Sequence, residues 1–88
     1  MGLRIISALR TPIGTVLELA ARRALDGFSG ELDVCITPAM DAAHAEIVIS
    51  ENGVWRASYY ATLDMEADHH VRRIRHAFQT ANVTSRTP

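Results

Sequence analysis

The stretch AEIVISENGVWRASYYA, residues 45–61, constrains the fold more than any other part of the sequence. Apolar and polar residues alternate on both sides of Asn52-Gly53, which is typical of two antiparallel strands joined by a tight turn. Because successive side chains of a strand point to opposite faces, a slip of one residue would expose the whole apolar set. The stretch therefore predicts a hairpin with one apolar face.

Two turns compete at the tip of this hairpin. A two-residue turn at Asn52-Gly53 places Ile49 opposite Arg56 and mixes polar with apolar side chains on both faces. A three-residue loop over residues 51–53 makes one face uniformly apolar, with Gly53 in the left-handed conformation that favours glycine. That register pairs Ile49 with Trp55, Ile47 with Ala57 and Ala45 with Tyr59. We therefore expect the three-residue loop.

A third strand precedes the hairpin. In ELDVCIT, residues 31–37, the apolar side chains Leu32, Val34 and Ile36 alternate with Asp33, Cys35 and Thr37. Strict alternation predicts a strand that is buried on one side only. The segment PAMDAA is then expected to form a loop. Residues 31–63 are thus expected to form a three-stranded antiparallel meander.

Two helices flank the meander. The first is expected over residues 11–27, with Thr11 as its cap, Pro12 at its first position and Gly27 at its end. The second is expected over residues 64–82, with Asp64 as its cap. Its residues at helical spacing form one apolar stripe: Ala67, Val71, Ile74, Phe78 and Ala81.

These elements predict an α+β fold of the order helix–three-stranded meander–helix, αβββα, with both helices on one face of the sheet. The chain has 88 residues, of which 48% are hydrophobic and 22% charged, so we expect one domain over residues 1–88. Residues 1–10 form an N-terminal arm whose pattern fits either a short strand or a helical turn. Residues 83–88 are expected to be a frayed tail.

The face of the sheet that the helices leave uncovered is called the open face. The alternation assigns to it Asp33, Cys35, Thr37, His44, Glu46, Val48, Ser50, Val54, Arg56, Ser58 and Tyr60. Tyr and Arg are common anchors of protein interfaces, and several apolar side chains on one small sheet make a patch. The expected partner-binding residues are His44, Val48, Val54, Arg56 and Tyr60.

Composition excludes several kinds of chemistry. All nine basic residues are arginine, so neither a Schiff-base lysine nor a phosphate-loop lysine is available. The one cysteine, Cys35, excludes an internal disulfide. The net charge is −1, no apolar run reaches about 18 residues and no signal peptide is recognised, so we expect a cytoplasmic protein without a membrane partner.

Catalytic and metal sites are tested by spacing. Of the four histidines, only His70 has a ligand-type residue one helical turn away, Glu66, and arginines follow His69. Cys35 with His44 is the minimal nucleophilic pair, but nothing around Cys35 matches a nucleophile motif. We therefore expect the histidines of the second helix on a solvated face, with no catalytic residue, no metal and no cofactor, and keep a thiol enzyme at Cys35 as a third hypothesis.

The segment HHVRRIRH clusters basic side chains on the second helix. Its candidate nucleic-acid contacts are Arg72, Arg73, Arg75, His69 and His76. The helix–three strands–helix order resembles that of double-stranded RNA-binding domains over nearly the whole chain. Those domains start their second helix with a basic, lysine-rich segment, whereas this chain has the acidic DMEAD, which repels phosphate.

By elimination, the sequence favours a non-catalytic protein–protein interaction module. It would act through the open face or an edge strand, as a homodimer or as an adaptor or inhibitor that docks on a larger bacterial or phage complex. The alternative is a nucleic-acid-binding domain that uses the second helix.

Overall fold

The computed structural model describes residues 2–28, 30–41 and 43–85. Its elements in chain order are β1 (Gly2–Ser7), α1 (Pro12–Ala24), β2 (Glu31–Pro38), β3 (His44–Glu51), β4 (Val54–Thr62) and α2 (Ala67–Ser85). The strands form one sheet in the order β1-β2-β3-β4. The α+β class is confirmed, and β2-β3-β4 is the expected antiparallel meander.

The first ten residues contain a strand that the predicted αβββα order lacks. β1 pairs in parallel with β2, with Ile5 beside Val34, so the sheet is mixed and the order is βαβββα. Two parallel neighbours need a crossover connection, and α1 provides it. The expectation of three strands was wrong because β1 gains a partner only when α1 brings β2 alongside it, and the local sequence pattern of residues 1–10 does not show this.

α1 begins at Pro12 as expected, although the Thr11 side chain before it makes no capping hydrogen bond. The helix ends at Ala24, earlier than predicted, and Gly27 then takes a φ of +88° in the left-handed region. A Cβ at Gly14 would lie 2.6 Å from the carbonyl oxygen of Leu9. Glycine there lets α1 lie close to the segment that leads out of β1.

The β3–β4 hairpin has a two-residue turn and not the expected three-residue loop. Asn52 and Gly53 both have positive φ, +52° and +82°, as in a type I′ turn. Glu51 pairs with Val54 across the turn.

A β-bulge then changes the register, because Ser50 pairs with Trp55 while Ile49 pairs with Ala57. Arg56 is the extra residue. Beyond the bulge the pairs are two residues away from those predicted, namely Ile47 with Tyr59 and Ala45 with Ala61. A shift of two keeps each side chain on its face, so the expected apolar face forms without Trp55.

The core lies between that face and the helices. The side chains of Val34, Ile36, Ile47 and Ile49 are fully buried against Leu17 and Ile74. α1 and α2 pack against each other and on this one face, as expected.

α2 begins at Ala67 and not at Asp64, and it continues to Ser85. Val71 and Ile74 of its predicted stripe are buried, whereas Phe78 is half-buried. The expected frayed tail overlaps the end of α2, and its residues 86–88 lie outside the described residues. Neither helix of the described ranges is long and apolar enough to cross a membrane.

Candidate functional site: the open face of the sheet

The strand register places the open-face residues in rows across the sheet. The central row runs from β1 to β4 through Ile6, Cys35, Val48 and Ser58. A row toward the hairpin turn contains Arg4, Asp33, Ser50 and Trp55. A row toward the β2–β3 loop contains Thr37, Glu46 and Tyr60. No helix of the described chain covers these rows.

Apolar side chains on this face are unusually exposed. Ile6 is 54% exposed, Trp55 59% and Tyr60 60%. Val48 is half-buried between them, and Cys35 is exposed. At the rim, the Nε of Arg4 donates to Asp33 Oδ1 over 3.0 Å. An apolar centre with a polar rim is the anatomy of many protein interfaces.

One end of the open face deepens into a hollow of about 460 Å³. It is lined by Pro38, Ala39, Met40, Asp41, His44, Glu46 and Tyr60. The structure thus brings together His44 and Tyr60, two of the predicted partner-binding residues.

The loop beside the hollow is held by one carboxylate. Asp41 Oδ2 lies 2.9 Å from His44 Nδ1, and Asp41 Oδ1 accepts the backbone N–H of Ala43 over 3.1 Å. These contacts, above all the one with His44, lower the pKa of Asp41 below its ordinary value. The imidazole of His44 is therefore positioned by Asp41 at the edge of the hollow.

Two predicted open-face residues belong elsewhere. The Arg56 guanidinium pairs with Glu51 and lies 5.5 Å from the centre of the Phe78 ring, so it belongs to the helix side. Val54 pairs with Glu51 at the turn, so its side chain lies on the helix side of the sheet as well. The bulge causes both changes, and it also places Trp55, which was expected in the core, beside Ser50 of the open face.

The structure separates Cys35 from His44. Cys35 pairs with Val48, four residues from His44 along β3, which corresponds to about 13 Å. A nucleophile and its base need hydrogen-bond contact, so these two residues do not form such a pair. Among the described residues, no group of three or more His, Cys, Asp or Glu side chains is placed to hold a metal ion.

The basic residues of α2 are spread rather than gathered. Arg75 donates to the carbonyl oxygen of Arg23 on α1 over 3.3 Å, while Arg73 interacts with Tyr59 of β4. Asp68 of α2 pairs with Arg23 of α1 at 3.1 Å. Between the helices lies a groove of about 520 Å³, lined by Leu19, Arg22, Arg23, Asp26, Val71 and Arg75. Arg72, His69 and His76 lie on other parts of the α2 surface.

His70 is the residue that the sequence interpretation missed. It was expected on a solvated helix face, but its side chain is fully buried. Nε2–H donates to the carbonyl oxygen of Asp64 over 2.9 Å, because a carbonyl only accepts. Nδ1, 3.3 Å from the Tyr59 hydroxyl, is then the acceptor of that contact. Position 70 lies one turn before Ile74, and this spacing was the available signal.

Two ionisable neighbours of His70 have shifted pKa values. Burial raises the pKa of the Tyr59 phenol above its ordinary value. Hydrogen bonds from the Thr62 hydroxyl and the Glu66 N–H lower the pKa of Asp64. The cluster joins β4 to the start of α2, so its role in this geometry is to fix the helix on the sheet.

Comparison with protein-family models, with curated proteins and with solved structures finds no match for this chain. The function of the chain is therefore inferred from the geometry of the open face. That face offers exposed aliphatic and aromatic side chains, a polar rim at Arg4–Asp33 and a hollow beside His44.

Proposed function

We propose that this chain is a non-catalytic protein-interaction module whose open face is its contact surface. The observation that carries the proposal is the contrast between the two faces of one sheet. The helices bury the middle of one face, where Val34, Ile36, Ile47 and Ile49 are fully inaccessible, whereas Ile6, Trp55 and Tyr60 remain more than half exposed on the other. Covering such side chains contributes a gross hydrophobic free energy of roughly 25 cal/mol per Å² of apolar surface removed from water, which is opposed by the entropy lost on association.

The arrangement favours a protein as the ligand over a small molecule. The apolar residues lie in rows across a sheet, and the hollow occupies only one end of them. Aromatic side chains such as Trp55 and Tyr60 are the types that most often dominate binding energy in protein interfaces. The partner we propose is a larger protein that presents aliphatic side chains to the Ile6–Val48 row and polar groups to the Arg4–Asp33 rim. The chain would act on it as an adaptor or inhibitor.

Site-specific photo-cross-linking in cells tests this proposal. A photoreactive residue replaces Ile6 or Val48 on the open face, and Leu19, which is 49% exposed on the helix layer, serves as the matched apolar control. From positions 6 and 48 we expect adducts that mass spectrometry assigns to the same partner protein. From position 19 we expect few adducts. The purified partner should then bind the chain directly.

Two outcomes would overturn the open-face assignment. The first is a set of adducts from position 19 that exceeds those from positions 6 and 48. The second is a series of unrelated abundant proteins at all three positions, because that pattern reports random encounters and not a specific surface.

The groove between the helices favours a second candidate, nucleic-acid binding. Arg22 and Arg23 of α1 join Arg75 there, which extends the predicted cluster beyond α2. Phosphate contacts make affinity fall steeply with salt. Under this candidate, Arg22→Ala with Arg75→Ala abolishes RNA or DNA binding and flattens its salt dependence. Binding that both changes leave intact would exclude it.

A further inference from the structure

The hollow at one end of the open face carries negative charge that the fold leaves uncompensated. Asp41 and Glu46 are among its lining residues, and no arginine of the described chain is. The carboxylate of Asp41 is held by His44 and the Ala43 N–H. The carboxylate of Glu46 is half-buried and has no hydrogen bond or ion pair with another described residue. A carboxylate that is partly removed from water favours a cation as its neighbour.

An aromatic ring lies beside the Glu46 carboxylate. Glu46 and Tyr60 pair directly across β3 and β4, so both side chains lie on the open face. Opposed side chains of an antiparallel pair have Cβ atoms roughly 4.5–5.5 Å apart. The Tyr60 side chain is 60% exposed, so its ring is accessible. A cation that binds here can therefore contact a carboxylate and an aromatic ring together, which combines an ion pair with a cation–π interaction.

The rest of the hollow is mostly apolar. The β2–β3 loop contributes Pro38, Ala39 and Met40, of which Met40 is fully exposed. The volume of about 460 Å³ is within the range of ligand pockets. A group that matches these walls has an aliphatic stem and a cationic head.

We propose that the hollow binds an arginine side chain of the partner protein. Arginine has an aliphatic stem, and its planar guanidinium binds a carboxylate through two N–H groups and stacks on an aromatic ring. Lysine carries a more strongly hydrated point charge, which suits a half-buried carboxylate less well. Tyr60 and Glu46 belong both to the hollow and to the rows of the open face. One protein can therefore cover the central row and insert this side chain.

The inference rests on the proposed function and deepens it, because it names the residue type that the partner presents at one end of the open face. The argument for this occupant is charge complementarity. The other rim of the same face differs, since the carboxylate of Asp33 already pairs there with Arg4 of this chain.

An NMR titration of the purified full chain tests the hollow directly. The probe is Nα-acetyl-arginine amide, and the uncharged Nα-acetyl-citrulline amide is the matched control. We expect the arginine probe to shift the backbone amide signals of residues 43–46 and 60, with a Kd in the millimolar range that is usual for so small a ligand. The citrulline probe should bind at least about fivefold more weakly, because it cannot form a charge-assisted hydrogen bond.

Two variants separate the two halves of the proposed contact. Glu46→Gln keeps the shape of the side chain and removes its charge, whereas Tyr60→Leu removes the ring. Each should raise the Kd of the arginine probe about two- to fivefold. Glu18→Gln is the matched control, since Glu18 is also half-buried but lies on α1, across the sheet from the hollow. It should leave the Kd unchanged.

Three results of the titration would overturn the inference. The first is equal binding of the two probes. The second is a set of shifted signals that excludes the hollow. The third is the same Kd for the Glu46→Gln and Glu18→Gln variants.

Photo-cross-linking from position 6 connects the hollow with the partner. In a chain that carries the photoreactive residue there, Glu46→Gln should lower the yield of partner adducts at least about twofold, and Glu18→Gln should leave it unchanged. An unchanged yield with Glu46→Gln would overturn the assignment of the hollow to the partner. Adducts that join two copies of this chain would also overturn it, because the arginine would then come from a second copy.

Failure of the inference is distinguishable from failure of the proposed function. The titration does not involve the partner, so it can fail while specific adducts from positions 6 and 48 persist, and then only the inference about the hollow is wrong. If specific adducts are absent from both positions, the proposed function is wrong, and the partner assigned to the hollow is wrong with it.

Discussion

The two faces of the sheet are built from the same strands, but the helices cover only one of them. Ile47 is fully buried beneath the helices, whereas its neighbour Val48 lies in the central row of the open face. The difference arises because side chains alternate along a strand while the helices cover only one side. Adjacent residues of one strand can therefore differ in role. A residue on the covered face contributes to folding stability, whereas its neighbour on the open face is free for the partner contact that we propose. Substitutions on the two faces should therefore have different consequences.

The largest contrast is expected between Ile47 and Val48. Ile47→Ala leaves a cavity in the fully buried core and should lower the free energy of unfolding by about 2–5 kcal/mol. Val48→Ala removes side-chain atoms from an uncovered face and should cost less than about 1 kcal/mol. Urea unfolding followed by circular dichroism measures both. Equal losses would mean that the open face is part of the core.

The second contrast lies within α2, between two histidines. His70→Ala should lower the free energy of unfolding by about 2–3 kcal/mol, because the Tyr59 hydroxyl and the Asp64 carbonyl each lose a buried hydrogen-bond partner. His76→Ala is the matched control on the exposed side of the helix and should change it by less than about 0.5 kcal/mol. The same unfolding measurement applies. A tolerated His70→Ala would contradict its role in joining β4 to α2.

The third contrast tests the correction of the hairpin register. Arg56→Ala removes the contact with Phe78 and the ion pair with Glu51, so it should cost about 1 kcal/mol. Arg4→Ala removes an exposed ion pair with Asp33 on the open face and should cost only a few tenths of a kcal/mol. A larger loss for Arg4→Ala than for Arg56→Ala would place Arg56 back on the open face.

The smallest expected effects concern acid pH. The pKa values of Asp64 and Asp41 lie below their ordinary value of 3.8. A lowered pKa contributes stability that is present above 3.8 and is lost as the pH falls through the folded-state value. Asp64→Asn and Asp41→Asn should each flatten the decline of unfolding free energy below about pH 4. Profiles as steep as that of the wild type would contradict the assigned hydrogen bonds.

The sequence predicted the parts of the fold that depend on local pattern. The alternation of Leu32, Val34 and Ile36 gave β2 its buried face, and Pro12 marked the start of α1. The sequence also predicted correctly that Ala57 and Tyr59 face the core, although the β3 residues with which it paired them were wrong. A bulge changes the pairing by inserting a residue while leaving the alternation beyond it intact, so periodicity does not reveal it.

The remaining errors come from tertiary contacts that no local pattern encodes. In the sequence, Arg56 has the pattern of a polar surface residue. Its contact with the Phe78 ring arises only when α2 packs on the sheet. GLRIIS becomes a strand because β2 offers it a parallel partner. His70 was expected in solvent because its side chain is polar. It is buried because the carbonyl oxygen of Asp64 and the hydroxyl of Tyr59 provide hydrogen-bond partners for its ring. The sequence placed His44, Val48 and Tyr60 on the open face correctly but missed Ile6 and Trp55, which reach that face through β1 and the bulge.

We propose that the open face binds a partner while the covered face stabilises the fold. The most direct test is the yield of partner adducts from a photoreactive residue at position 6, with and without Val48→Asp and Tyr60→Asp. We expect the double change to abolish the adducts while the purified variant still unfolds cooperatively in urea. An undiminished yield of the same partner from the double variant would contradict it.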